Sequence, residues 1–383
     1  MSKRLTIITE IISPYRIPLF NALTRREDVD LHVVFLAETD AALREWKVYK
    51  EEIQFSYEVL PSWRVRIAGY SLLLNRKVGQ AMASARPEVI LCGGYNYVAS
   101  WRALAWARRR GVPFFLWSES NLHDMRPGRA WIEWCKRRFL ARCSGFVVPG
   151  REAKEYLLSL GMKESGIFVA VNAVDNNLFA AAAKSARVRA GELREDLRLP
   201  LRYFLFVGRL VPEKGVFELL SAYAKLNGAL REQIGLVFAG DGISHEALEK
   251  QSKSIAPGTI RFTGFAQREQ LAKFYALAEV LVLPTYTDTW GLVVNEAMAS
   301  GLPIILSEAA GCAADLVLEG KNGQIIAPRD VASLSAAMER FAIDKELGRE
   351  MGIESCRRIG EYSPENWAEG IVSMVGHAGG HHD

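Results

Sequence analysis

Apolar positions along the chain follow two alternating patterns. Short apolar runs, typical of strands buried on both faces of a parallel sheet, are separated by longer stretches with helical spacing. In the first half of the chain the predicted strands are Leu5–Thr9, Leu31–Leu36, Val89–Cys92, Phe114–Trp117 and Gly145–Val148. In the second half they are Tyr203–Val207, Gly235–Ala239, Ile260–Thr263, Val280–Leu283 and Pro303–Leu306. This alternation predicts an α/β protein with two Rossmann-like, doubly wound domains that face each other across a cleft.

A length of 383 residues also favours two domains. The periodicity fades between residues 180 and 200, where Ala and Arg predominate, and this stretch is interpreted as a helix-loop linker. We therefore predict an N-terminal domain over residues 1–180 and a C-terminal domain over residues 200–358. A last amphipathic helix is predicted within residues 360–383, with the N-terminal domain as its expected packing partner.

Composition narrows the class of protein. Apolar residues make up 49% and charged residues 24% of the chain, as in ordinary globular proteins. The five cysteines form no CxxC pair, which favours a reducing compartment over a disulfide framework or a zinc site. No uninterrupted apolar run reaches the roughly 18 residues of a membrane-spanning helix, and residues 1–16 are too polar for a secretory signal. These features predict a cytoplasmic protein.

Charge is divided unevenly between the halves. Residues 1–190 contain 29 Lys and Arg against 18 Asp and Glu, whereas the remaining residues contain 19 against 26. A basic first half suits an anionic acceptor or an anionic membrane surface. An ordinary basic surface is the alternative interpretation.

Two segments of the first half combine apolar residues with cations. The stretch Gly128–Gly145 holds Trp131 and Trp134 among several Lys and Arg residues, and Tyr70–Leu74 lies beside Arg76. A basic helix of this kind rests on an anionic bilayer or packs its apolar face on the sheet. The sequence favours packing on the sheet and leaves peripheral attachment to the inner face of the membrane as the alternative.

The turn after the strand Tyr203–Val207 is suited to bind a diphosphate. Gly208 permits close backbone approach, and Arg209 and Lys214 place two cations before the next predicted helix. The guanidinium of Arg can grip phosphate oxygens in a bidentate manner, whereas the ammonium of Lys acts as a point charge. By itself the motif is also compatible with a surface loop that carries two solvated charges.

A second motif follows the strand Val280–Leu283. Asp288 and Glu296 are separated by seven residues, with Gly291 between them, and a helical pattern begins at Leu292. The start of a helix presents free backbone N–H groups and a partial positive charge, which makes it an anion site. A carboxylate nearby can accept hydrogen bonds from two ribose hydroxyls. A solvated acid in the first turn of a helix is the alternative for Glu296.

These motifs together resemble the family 4 glycosyltransferases of the GT-B fold. The matching stretches are Gly208-Arg209, Lys214-Gly215, VNAVDNNLF at 171–179, FAGDG at 238–242, FTGF at 262–265, TDTWGLVVNEAMASGLPII at 287–305 and GKNGQII at 320–326. The matching motifs are dense from about residue 145 to 340, whereas residues 1–140 match only in the alternation of predicted strands and helices.

The resemblance implies roles for the matching residues. Arg209 and Lys214 would hold the donor diphosphate, and Glu296 would hold the ribose hydroxyls. Asp288 would face the hydroxyls of the sugar, at a position where glutamate is more common in the family. The residues expected to meet the sugar, the distal phosphate or the base are Thr289, Trp290, Gly291, Leu292, Gly264 and Phe265.

The first half departs from the family pattern. Many relatives carry a sugar-contacting histidine six residues beyond a proline, and counting from Pro113 this chain has Glu119. Glu119 is expected to take over that contact, with His123 as the alternative. Arg16 and Tyr15, in the loop after the first strand, are predicted acceptor contacts.

The resemblance implies a retaining, metal-independent glycosyltransferase. It would move a hexosyl-type sugar from a UDP- or GDP-sugar to a glycan or lipid-linked acceptor, as in the synthesis of surface polysaccharides or glycoconjugates. No resident cofactor and no nucleic-acid partner are expected, and the sequence does not specify an oligomeric state. A sugar-nucleotide epimerase and a non-catalytic glycan- or nucleotide-binding protein are the alternatives. A dinucleotide dehydrogenase is disfavoured because Leu5–Pro18 contains no glycine.

Overall fold

The computed structural model describes residues 2–39, 46–67, 70–121, 130–255 and 257–378. These residues form two compact units. The first unit contains the described residues up to Ala173 and those from Pro364 onward, and the second unit spans Val174–Ser363. No helix in the described ranges has the length and apolar character needed to cross a bilayer.

The first unit is built on a parallel sheet with helices on both faces. Its strands are β1 (Lys3–Thr9), β2 (Val29–Phe35), β3 (Ser56–Val59), β4 (Ser62–Ile67), β5 (Tyr70–Asn75), β6 (Val89–Cys92), β7 (Phe114–Trp117), β8 (Gly145–Val148) and β9 (Ile167–Val169). The sheet order is β3-β2-β1-β6-β7-β8-β9, and β4 and β5 pair as a separate antiparallel hairpin. The helices of this unit are α1 (Ile17–Thr24), α2 (Val78–Ala85), α3 (Val98–Arg110), α4 (Ala130–Leu140), α5 (Arg151–Ser159) and α16 (Pro364–His377).

The C-terminal helix α16 packs in the core of the first unit. The ring of its buried Trp367 lies 5.8 Å from that of Phe20 and 5.4 Å from that of Trp117. A Cβ atom on Gly370 would come within 2.3 Å of the Val169 carbonyl oxygen, so only glycine allows the helix to approach β9 this closely. Burial of such large apolar surfaces supplies most of the stabilisation of a core.

The second unit is a second doubly wound sheet. Its strands are β10 (Tyr203–Val207), β11 (Gly235–Ala239), β12 (Ile260–Phe262), β13 (Val280–Leu283), β14 (Ile304–Ser307) and β15 (Gly323–Ile326). They are all parallel and lie in the order β12-β11-β10-β13-β14-β15. The helices are α6 (Asn176–Val188), α7 (Ala190–Asp196), α8 (Val216–Lys225), α9 (Gly228–Gln233), α10 (His245–Ile255), α11 (Arg268–Leu277), α12 (Leu292–Ala299), α13 (Ala313–Leu316), α14 (Val331–Ile343) and α15 (Lys345–Ile359).

The stretch interpreted as a linker, residues 180–200, is largely helical and belongs to the second unit. Asp175 caps α6 by accepting a hydrogen bond from the Leu178 amide at 2.9 Å. Arg187 on α6 donates to the carbonyl oxygens of Ala276 at 3.0 Å and Ser300 at 2.5 Å, which ties the helix to α11 and α12. The buried face of α6 is mostly alanine, which gives too weak an apolar signal for the helix to be recognised as part of a domain.

The apolar pattern locates the central strands and the edge strand β12, but not the other peripheral strands. The described strands that it does not indicate are β3, β4, β5, β9 and β15. Three of these lie at sheet edges and two form the hairpin, where one face or one edge meets solvent. Polar residues are tolerated at such positions, so the continuous apolar run of a central strand is missing.

Candidate active site

Three glycine turns meet at the carboxyl edge of the second sheet. The Gly208 amide donates to the Ala239 carbonyl at 3.0 Å, and the Gly240 amide donates to the Gly264 carbonyl at 2.9 Å. A Cβ atom on Gly240 would lie 1.9 Å from the Gly208 carbonyl oxygen, a distance no side chain can adopt. The turns after β10, β11 and β12 therefore approach one another through backbone alone.

A second close approach joins the loop before α8 to the loop after β13. Gly215 has φ +68°, and a Cβ atom on it would lie 2.0 Å from the Pro284 carbonyl oxygen. The Tyr286 amide donates to the Glu213 carbonyl at 2.8 Å, and the Thr285 hydroxyl donates to the same oxygen at 3.1 Å. The two loops carrying the predicted cations and acids are thus held side by side.

This juxtaposition brings Lys214 and Asp288 together. The Lys214 Nζ atom lies 2.5 Å from Asp288 Oδ2, and the two side chains are only 16% and 18% exposed. Arg209 differs, because its side chain is exposed and makes no ion pair or hydrogen bond with any residue in the described ranges. The backbone immediately after Arg209 is fixed by the Leu210 amide, which donates to the Asp241 carbonyl at 2.8 Å.

The loop from Asp288 to Gly291 is held by its neighbours. The Asp288 amide donates to Ala309 at 3.3 Å, and the Cys312 amide donates to the Trp290 carbonyl at 3.1 Å. The Trp290 indole is buried, and its Nε1–H donates to Asn295 Oδ1 at 2.9 Å. The side chain of Trp290 therefore anchors the loop.

The start of α12 faces this loop without a side-chain cap. Gly291, with φ +97°, occupies the N-cap position, and Leu292 is the first helical residue. Backbone N–H groups at an uncapped helix start are available to an anion, and the helix dipole favours negative charge there. Thr289 precedes this turn. Phe265, beside Gly264 at the neighbouring turn, keeps 41% of its surface exposed.

Glu296 lies one turn into α12, where protein surrounds most of its carboxyl group. The Tyr275 hydroxyl donates to Glu296 Oε2 at 2.7 Å. Desolvation raises the pKa of Glu296 from 4.5 to about 7, although the hydrogen bond from Tyr275 and the charge of Arg268 act in the opposite direction. Burial raises the pKa of Tyr275 well above its ordinary value, so its hydroxyl remains a donor.

The raised pKa of Glu296 makes stability depend on pH. Between pH 4.5 and about 7 the folded chain binds a proton at Glu296 that the unfolded chain releases. This tighter proton binding stabilises the folded state fully below pH 4.5, and the stabilisation is lost as the pH rises to about 7. The free energy of unfolding of the wild type, minus that of Glu296→Gln at the same pH, should fall by about 1 to 3 kcal/mol from pH 5 to pH 8. Urea denaturation across this range measures the difference, and parallel pH profiles would contradict the assignment.

The carboxyl edge of the first sheet carries a different cluster. Arg16 donates to the Thr9 hydroxyl, its guanidinium lies 4.5 Å from the centre of the Trp117 ring, and its Nη2 lies 3.6 Å from Glu119 Oε1. Glu119 therefore sits beside the predicted acceptor contact Arg16. The alternative residue, His123, lies outside the described residues.

Further polar groups complete this edge. The Tyr15 ring lies 5.8 Å from that of Trp46 in an edge-on arrangement. Arg64 on the hairpin lies 3.7 Å from Glu10, at the end of β1. Burial and a hydrogen bond to Glu10 raise the pKa of Tyr97. A two-residue contact such as Glu10 with Arg64 has no sequence signature, because the partners lie on separate elements.

Two sequence profiles match the chain. The profile described as Glycosyl transferases group 1 matches residues 192–365, and the profile described as Glycosyltransferase Family 4 matches residues 19–178. The chain belongs to the family 4 glycosyltransferases. The resemblance predicted from the motifs of the second half is thus confirmed, and the second profile extends the family assignment to the first half.

Curated relatives of this glycosyltransferase chain include enzymes of plants and bacteria. The chain is 30% identical to sulfoquinovosyl transferase SQD2 of Arabidopsis thaliana over 292 residues, which are 74% of this chain and 55% of that protein. It is 29% identical to glycogen synthase of Mycobacterium tuberculosis over 275 residues, which are 68% of this chain and 61% of that protein. The chain thus matches between about half and two thirds of the length of these relatives.

A solved structure shows the same fold. HepE of Anabaena, crystallised with UDP and glucose, superimposes with a TM-score of 0.73 at 16% identity, covering 98% of this chain and 99% of that chain. The fold of this family 4 glycosyltransferase is the predicted GT-B fold, with two Rossmann-like α/β units.

Proposed function

We propose that this chain transfers a hexosyl group from a UDP- or GDP-sugar to a glycan or lipid-linked acceptor, with retention of anomeric configuration and without a metal ion. A role in the synthesis of surface polysaccharides or glycoconjugates is part of the proposal. The observation that carries it is the approach of Gly215 to Pro284, which sets Lys214 beside the loop that leads to the uncapped start of α12. Arg209 follows β10 at the same edge of the sheet, and its guanidinium makes no ion pair with any described residue.

The chemistry requires positive charge at this edge. As the bond from the anomeric carbon to the phosphate oxygen breaks, negative charge develops on the departing diphosphate. Preorganised cations and backbone N–H groups stabilise that charge more strongly than water does. The acceptor oxygen then bonds to the anomeric carbon on the same face of the sugar, and its proton passes to the departing phosphate oxygen.

Lys214 and Asp288 would exchange partners when the donor binds. In the structure the Lys214 ammonium is paired with Asp288 at 2.5 Å. A diphosphate carries more charge than one carboxylate and would compete for that ammonium. Asp288 would then be available for the sugar hydroxyls, and the amides of Thr289, Trp290, Gly291 and Leu292 would line the same turn.

The remaining contacts are proposed from their surroundings. Glu296, which already accepts a hydrogen bond from Tyr275, would also accept hydrogen bonds from the ribose hydroxyls. Gly264 and Phe265 would border the base. In the first unit, Glu119 would contact the sugar and Arg16 and Tyr15 the acceptor. The similarity to a sulfoquinovosyl transferase and a glycogen synthase supports a hexosyl donor, and the UDP and glucose bound by HepE support a uridine nucleotide.

A donor screen tests the proposal. The full chain is incubated with UDP-, GDP- and ADP-sugars and with glycan or polyprenyl-linked acceptors, with and without EDTA. Release of nucleoside diphosphate that depends on the acceptor and is insensitive to EDTA is the expected result, and NMR of the product should show the donor's anomeric configuration. Conversion of the donor sugar without any acceptor would instead identify an epimerase.

We further propose that the first unit attaches to anionic membranes. On α4, Phe139 and Leu140 are buried against the sheet, as the favoured interpretation predicts, yet Trp134 is 60% exposed and lies under the Arg138 guanidinium. Trp63 on the hairpin is 50% exposed and lies 4.8 Å from the Arg76 guanidinium. Exposed tryptophans paired with cations suit the interface of an anionic bilayer.

Vesicle flotation checks the membrane proposal. The wild-type chain should float with phosphatidylglycerol vesicles and remain at the bottom with phosphatidylcholine vesicles. A Trp63→Ala/Trp134→Ala variant should bind the anionic vesicles several-fold less, because two interfacial anchors are lost. Val188→Ala, which removes an exposed apolar side chain of the second unit, is the matched control. Equal flotation with both lipids would contradict the proposal.

A further inference from the structure

A basic cavity lies at the amino edge of the second sheet. Its volume is about 600 Å³, and it is lined by the segments that precede β10, β11 and β12 and by the first residue of α15. At its floor, a Cβ atom on Gly235 would come within 2.6 Å of Pro200 and 2.8 Å of the Thr259 carbonyl oxygen. This volume falls within the range of small-molecule sites, roughly 300–1,000 Å³.

The cavity concentrates positive charge. Its lining holds five basic residues and one acidic residue, Glu232. The basic residues are Arg198, Arg202, Arg231, Arg261 and Lys345. Like charges that share one concave surface repel one another, so a bound anion would be stabilised there.

Two of the cations are fixed by protein partners. Arg202 is buried, and its Nε lies 3.2 Å from Glu279 Oε1, while its Nη1 donates to the Ala342 carbonyl at 3.1 Å. Arg231 donates from Nη1 to the Ile255 carbonyl at 3.0 Å. These contacts hold the two guanidinium groups in place at the cavity.

The other three cations lack a counter-charge. Arg198, Arg261 and Lys345 form no ion pair with any residue of the described part of the chain. An anion bound in the cavity would supply the missing counter-charge.

We propose that this cavity binds a small phosphorylated anion. Arginine is the side chain best suited to phosphate oxygens because its planar fork donates two parallel hydrogen bonds. The site is separate from the donor-binding edge, since the five residues of β10 place about 13 Å between the Cα atoms at its two ends. The proposal does not depend on the transfer reaction.

Isothermal titration of the full chain with inorganic pyrophosphate tests this site. Four proteins are compared: wild type, Arg209→Ala/Lys214→Ala, Arg198→Ala/Arg261→Ala/Lys345→Ala, and the combination of all five changes. The donor-site double variant should retain one pyrophosphate site. Adding the three cavity substitutions to it should weaken that remaining affinity at least tenfold, since several charge-assisted hydrogen bonds are lost.

A matched variant separates this site from general electrostatic attraction. Lys184→Ala/Lys250→Ala/Lys321→Ala removes the same charge from exposed positions of the second unit. In the donor-site background it should bind pyrophosphate as the parent does, with an unchanged melting temperature. Arg261→Lys keeps the charge and should retain part of the affinity. Retained affinity in this variant would show that a substitution at this position leaves the fold intact. The proposal is overturned if the donor-site variant binds no pyrophosphate, or if the control and cavity variants lose affinity equally.

Discussion

Replacing Arg209 with alanine is expected to lower kcat for glycosyl transfer by about 10² to 10³. The guanidinium is exposed at the end of β10 and makes no ion pair among the described residues, so it is available to the departing diphosphate. Because the charge on that group grows as the bond breaks, the loss should appear in kcat more than in KM. Steady-state kinetics with the donor found in the screen measure both constants.

Two control variants sharpen the Arg209 experiment. Arg209→Lys keeps the charge but loses the bidentate fork and should fall between wild type and Arg209→Ala. Arg340→Ala removes an exposed arginine from α14 and should leave kcat unchanged. If Arg209→Ala turns over at a rate near that of wild type, the leaving group is not stabilised by this side chain.

Replacing Gly215 with alanine is expected to destabilise the second unit by about 2 to 6 kcal/mol. The residue has φ +68°, which costs an ordinary residue about 1 to 3 kcal/mol, and its Cβ would lie 2.0 Å from the Pro284 carbonyl oxygen, an overlap that adds about 1 to 3 kcal/mol. Relief of the overlap requires the loop carrying Lys214 to move away from the loop carrying Asp288. Urea denaturation should therefore show reduced stability, and kcat/KM should fall with it.

Gly320→Ala is the matched control for the steric part of this effect. Gly320 has a similar φ of +73°, yet a Cβ atom there would meet nothing within 4 Å. Its substitution should cost only the backbone strain of about 1 to 3 kcal/mol, without the added overlap, and leave the kinetics unchanged. Equal losses of stability in the two variants would show that the approach of Gly215 to Pro284 is not a tight contact in the folded protein.

The sequence located the residues of the second unit's candidate site better than those of the first. Gly208 and Lys214 lie in the segment after β10, Asp288 lies in the loop after β13, and Glu296 lies in the helix that follows that loop. Parallel strands bring such segments to one edge of the sheet. The partner of Glu296 was not predicted, because Tyr275 lies on α11 within an ordinary apolar pattern. In the first unit, the neighbours Glu10 and Arg64 carry no motif.

The sequence by itself determined the family, the two α/β units and the central strands, because these depend on local apolar periodicity and on motifs written in consecutive residues. Only the tertiary structure decided that Lys214 pairs with Asp288, that Arg16 lies beside Glu119, and that arginines from distant segments share one cavity. Those contacts join residues far apart in the chain. They depend on how closely backbones can approach. The close contact of Gly215 with Pro284 forms only when β10 and β13, the strands that precede these residues, lie side by side in the sheet.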